Sequence, residues 1–141
     1  MSFATVFAPV FVQVALTLAL LFWGGLLRVG LVRSGAVKAR DVALREPNWP
    51  AHVTRVINAY QNQLELPVLF YLAVVAAFFS AHMTVSLVVL SWLFVASRLL
   101  HALVHVTTNE MARRFFLFLA GALILTLFWL LFLLDVMAGG I

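Results

Sequence analysis

The chain has 141 residues, of which 65% are hydrophobic and 10% charged, with a net charge of +4 and no cysteine; its mean hydropathy is +1.12. That composition excludes an ordinary soluble domain, which needs far more polar surface, and makes the bilayer the natural solvent. The absence of cysteine excludes disulfides, thiolate metal sites and a cysteine nucleophile.

Residues 1–27 carry no charged side chain, and a first span is expected over 4–32. This segment lacks a basic leader, and its apolar run exceeds the about 7–15 residues of a signal-peptide core, so it is expected to stay in the protein. The only long connection follows, 33–52, RSGAVKARDVALREPNWPAH, which mixes both charge signs. Gly35 is placed to end the first helix. Pro47 and Pro50 punctuate the approach to the second, with Asn48 or Thr54 as candidate caps.

The uncharged run 66–97 is too long for one span of about 20 residues. It divides at Ser80-Ala81-His82, giving spans over 53–79 and 83–106. The third loop, VTTNEMARR, is short, and Thr108 or Asn109 ahead of Glu110 makes a reasonable start for a fourth span over 111–138. The expected fold is all-α: an integral membrane four-helix bundle of up-down topology, a single domain over 1–141.

Arg28, Arg33, Lys38, Arg40, Arg45 and Arg55 lie in or beside the first loop, and Arg113 and Arg114 flank the third. The second loop has neither Lys nor Arg. This pattern puts both basic loops in the cytoplasm and both termini on the opposite side. Membrane topology therefore explains the charge, and nucleic acid is not an expected partner.

The polar residues are not scattered. In RVINAYQNQLELP, residues 55–67, Arg55, Asn58, Asn62 and Glu65 fall within an arc of roughly 80° on a helix of about 100° per residue. Facing lipid, a charged group at mid-helix costs about 2.5–3.5 kcal/mol on insertion scales, so the strip must face protein or a water-filled cavity. Pro67 frees the carbonyl of Gln63 and is expected to kink the helix just past the strip. In SRLLHALVH, residues 97–105, Arg98, His101 and His105 lie within about 60° by the same geometry. Arg113 and Arg114 open the fourth helix at the same membrane depth.

Several cations, one deep carboxylate, two amides and two imidazoles suit a small anionic or zwitterionic molecule, with carboxylates on Arg and an ammonium on Glu65. Adjacent apolar helix surface suits a lipophilic co-substrate from the bilayer. His101 and His105 at i, i+4 resemble a metal pair, but no third His shares their face and Arg98 repels a cation. No metal is expected.

The chain resembles the MAPEG family (membrane-associated proteins in eicosanoid and glutathione metabolism), as a bacterial-type member. The family pattern in helix two is approximately R-x-x-R-A-x-x-N-x-x-E followed shortly by proline, and Arg55, Ala59, Asn62, Glu65 and Pro67 match it. In helix three Arg98 and His101 match A-R-x-x-H/Y, and Arg114 falls where many members have an arginine at the start of helix four. The resemblance implies a homotrimer, here in a bacterial inner membrane, binding glutathione between subunits near the cytosolic face. It implies glutathione as co-substrate, held by Arg55, Asn62, Glu65, Arg98 and His101, with Arg114 or Arg113 stabilising the thiolate; Asn58 and His105 join the expected ligand-binding set from the polar faces of helices two and three. Three positions depart from the pattern: Asn58 replaces the usual second arginine, Leu66 a tyrosine found in several members, and His105 the second aromatic of helix three.

Three readings of function follow: a glutathione-dependent transferase or peroxidase acting on lipophilic electrophiles or lipid peroxides; a non-catalytic protein of the same fold binding a membrane lipid or protein partner; and an oligomer whose polar strip only knits subunits together.

Overall fold

The computed structural model describes residues 1–139. Five α-helices follow in order: α1 (Phe3–Arg33), α2 (Ala51–Asn62), α3 (Leu66–Phe79), α4 (Val85–Val106) and α5 (Met111–Gly139), with a single 3₁₀ turn at Ala39–Asp41 in the first loop. Four segments are long and apolar enough to cross a membrane: α1, α2 with α3, α4 and α5. The protein is an all-helical, multi-pass integral membrane bundle.

Local chemistry sets most helix ends. Ser2 caps α1 by accepting the Thr5 N–H, and Gly35, at φ 76°, leaves the helix in the left-handed conformation that glycine adopts without steric cost. Neither Asn48 nor Thr54 caps α2. Pro50 holds the N-cap position with no side-chain bond. Asn48 instead donates from Nδ2 to the Asp41 carbonyl at 2.6 Å, bracing the loop, and Thr54 bonds back to the Pro50 carbonyl. Proline fixes the entry angle and has no donor to satisfy there, so the polar neighbours are free for other contacts.

The turn at Ser80-Ala81-His82 falls where the charge pattern put it. Ala81 N–H donates to Phe78 O and His82 N–H to Ala77 O, a Schellman closure with Ala81 in the left-handed region at φ 62°. Thr84 then caps α4 by accepting the Leu87 N–H.

The second span is not one kinked helix. It breaks over residues 63–65, ahead of Pro67, which falls in the first turn of α3. A proline there forfeits no bond, because first-turn N–H groups have no intrahelical acceptor. The break lets the span change neighbours. α2 packs against α1 and α4, and α3 chiefly against α1 and α5, with Phe70 stacking on Phe94 of α4 at 4.7 Å.

α4 is the central helix: 56% of its apolar window is buried, against 22% for α5. Around its half farther from the basic loops lies the larger apolar core, including Val6, Phe70, Val74, Phe94, Leu125 and Phe128. A smaller core of Leu20, Val56, Ala59 and Ala102 packs its half nearer the basic loops. α4 and α5 approach closely at Gly121, where a Cβ would lie 2.8 Å from Ser97 Oγ. Apolar residues such as Phe22, Leu26 and Phe79 face outward, as hydrocarbon solvent permits.

Candidate functional site

The break in the second span organises the polar residues. A helix end leaves four carbonyls without partners, and in a membrane each must be satisfied by protein. At the end of α2 all four are. Tyr60 O and Gln61 O accept from the Gln63 and Leu64 N–H groups. Ala59 O accepts from Gln63 Nε2 at 3.0 Å. Asn62 O accepts from Arg98 Nη2 at 3.0 Å, which sets a cation on the negative end of the helix dipole.

The reverse contact occurs at the other end of the antiparallel pair. Arg55 Nη1 donates to Thr107 O at 3.0 Å, where Thr107 terminates α4. Each of the two helices thus supplies an arginine to close its neighbour. Gln13 of α1 fixes the break from the far side, donating to Gln63 Oε1 at 2.9 Å. Both glutamines are buried.

Arg98, His101 and His105 line one face of α4 and are fully buried, at 0%, 3% and 1% exposure. Asn62 Nδ2 lies 3.2 Å from His105 Nε2 and also donates to Asn58 O. The Arg98 guanidinium lies 6.0 Å from the Phe118 ring centroid. From α5, Arg114 donates through Nη1 to Asn109 Oδ1 at 2.9 Å. Beside these groups opens a cleft of about 660 Å³, with Asn62, His101 and Arg114 as its polar side and Met111, Phe115, Phe116 and Phe118 as apolar walls.

Five buried side-chain nitrogens of this cluster lack hydrogen-bond partners among the described residues. They are Arg98 Nε and Nη1, Arg114 Nε, His101 Nδ1 and His105 Nδ1. Native proteins pair most such groups. The three arginine nitrogens are obligate donors, so the cluster is complementary to an anion or a strong acceptor.

The strip expected on helix two does not converge as one face. Periodicity carries only to Asn62, because the helix ends there. Glu65, at ψ −103°, is exposed and makes no ion pair within 4.0 Å among the described residues. Asn58 is also exposed and lines a different cleft of about 620 Å³, between helix two and the first loop, with Arg28, Glu46, Trp49, Tyr60 and Gln61. Arg113 points to solvent and pairs with Glu110 at 2.8 Å. The cluster therefore gathers Asn62, Arg98, His101, His105 and Arg114, with Arg55 bracing its rim; Asn58, Glu65 and Arg113 lie outside it within one protomer.

Asn109, Phe118 and the Gln13–Gln63 pair are part of this arrangement without having been singled out from sequence as site residues. Asn109 carried a signal only as a possible helix start, and Gln13 as the one amide side chain of α1. Among the described residues no group of three or more His, Asp or Glu side chains is placed to hold a metal.

A sequence model of the MAPEG family matches residues 6–134. No curated protein and no solved structure matches the chain significantly.

Proposed function

The chain belongs to the MAPEG family, the match running over residues 6–134, and from that premise we propose that it is a glutathione-dependent transferase or peroxidase acting on lipophilic electrophiles or lipid peroxides. The observation that carries this reading is a polar cluster holding buried arginine N–H groups without partners among the described residues, from Arg98 and Arg114, next to an apolar-walled cleft that Asn62, His101 and Arg114 line. The residues present fit the co-substrate's chemistry: Arg98 and Arg114 suit its anionic groups, and the phenylalanine wall suits a greasy acceptor entering from the bilayer.

Glutathione supplies the thiol nucleophile, whose reference pKa of about 8.5 leaves it mostly protonated at neutral pH. Arg114 lines the cleft and holds positive charge where the sulfur would become anionic. Each pKa unit of thiol depression corresponds to about 1.4 kcal/mol of preferential interaction with the anion. Arg98, His101 and Asn62 orient the peptide portion, and the dry phenylalanine wall strengthens these electrostatic terms by excluding water. Proximity of the acceptor supplies the rest.

Asn58 and Glu65 are exposed on the protomer, so their contribution requires a neighbouring subunit to cover them. A homotrimer, with both basic loops cytoplasmic, is the assembly this reading entails. A stable monomer with undiminished ligand binding, by particle mass in detergent, argues against the shared site.

The test of activity is the ultraviolet thiolate band on adding glutathione to the purified protein. Wild type is expected to show it and Arg114→Ala to lose it. If wild type does not perturb the thiol, the enzyme reading fails. The second reading, a non-catalytic lipid-binding member, then takes its place; it is favoured by the neutral Asn58 and by the largely apolar lining of the cleft.

A further inference from the structure

Two adjacent arginines open α5, and the structure treats them differently. Arg113 is bound by a carboxylate, Glu110 Oε2, at 2.8 Å and is 65% exposed. Arg114 is bound by a neutral amide, Asn109 Oδ1, at 2.9 Å, and its Nε is buried without a partner beside the cleft. The first turn of a helix is the unfavourable end of the dipole for a cation. An arginine left there, partly buried and without a counter-ion, needs something to hold it.

Asn109 is built to do so. Its backbone sits at φ 54°, a left-handed conformation that few residues other than glycine, asparagine and aspartate adopt readily. Its N–H donates to Val104 O at 2.7 Å, closing the end of α4. One residue therefore ties the end of α4 by its backbone and the first turn of α5 by its side chain. Glycine meets the backbone requirement but offers no acceptor. Aspartate meets both but neutralises the guanidinium. Asparagine alone of the three holds Arg114 and leaves its charge free.

We propose that Asn109 is a positioning residue: an uncharged tether that fixes the Arg114 guanidinium towards the cleft without quenching its positive charge. In its functional consequence this rests on the glutathione reading above; in its geometry it does not.

The experiment compares wild type, Asn109→Gly and Asn109→Asp as full-length protein in detergent, with two readouts. The first needs no glutathione. Selective ¹⁵N-arginine labelling, with Arg114→Lys for assignment, follows exchange of the Arg114 Nε–H with water. Exchange is expected to be slow in wild type and Asn109→Asp and faster in Asn109→Gly, with thermal unfolding of the glycine variant unchanged or raised because its backbone is relaxed. The second is the thiolate population at saturating glutathione. The thiolate-to-thiol ratio is expected to fall by roughly threefold to tenfold in Asn109→Gly, the equilibrium worth of one hydrogen bond. It should also fall in Asn109→Asp, although that variant keeps the tether, because the carboxylate cancels the charge.

Equal Nε–H exchange in wild type and Asn109→Gly overturns the positioning role whatever glutathione does. Slow exchange in wild type, lost in Asn109→Gly, supports the tether even where no protein forms thiolate, and that second result refutes the enzyme reading alone. An undiminished thiolate population in Asn109→Asp overturns the claim that the tether must be neutral.

Discussion

Arg98→Met separates a ligand-binding arginine from a merely structural one. Arg98 is wholly buried and, among the described residues, donates from Nη2 to the Asn62 carbonyl, while Nε and Nη1 have no partner. Losing the charged bond costs about 1.5–3 kcal/mol. Removing two buried nitrogens that lack partners returns about 1–3 kcal/mol each, and methionine fills similar volume along the same path. Replacing a buried charge by an apolar side chain is often neutral or stabilising on these grounds. The unliganded variant should therefore unfold at the same temperature as wild type or higher. The ligand response should disappear: wild type at a hundred times its dissociation constant gains about 2.7 kcal/mol from glutathione, and Arg98→Met should gain almost none. Thermal unfolding in detergent, with and without glutathione, reads both quantities. A loss of about 3 kcal/mol or more without ligand, combined with an unchanged glutathione shift, would show that Arg98 serves only to close α2.

Ala81→Gly should stabilise the protein by about 1 kcal/mol, because Ala81 holds φ 62° and pays the left-handed penalty that glycine avoids; the midpoint of thermal unfolding checks it, and a fall would contradict the turn geometry. Gln63→Leu should destabilise by roughly 2–4 kcal/mol, since it orphans both the Ala59 carbonyl and the Gln13 amide. Adding Gln13→Leu should recover part of that loss in a double-mutant cycle, and strict additivity would show that the two amides do not interact.

Much of the fold was legible because its causes are local or compositional. Apolar runs of spanning length give the helices, their charge pattern gives the loops, and a run too long for one helix requires the turn at Ser80-Ala81-His82. That polar groups on a membrane helix must be buried or covered also follows from sequence, since hydrocarbon offers them no partner. Arg98, His101 and His105 share a face as their spacing dictates, because α4 is unbroken from Val85 to Val106.

Where each polar group points was decided by tertiary structure. Helical periodicity extrapolates only along a continuous helix, so the strip that included Glu65 ended at Asn62, where α2 ends. Pro67 announced an interruption, but its register depended on which side chains could take the released carbonyls: Gln63 from within and Arg98 from another helix. Arg113 and Arg114 are identical in type and adjacent in sequence, yet one meets Glu110 in solvent and the other meets Asn109 beside the cleft. Sequence sets what each side chain can bond to and that it must be bonded if buried. Which partner lies within about 3 Å depends on helix register and crossing, set by packing across the whole bundle.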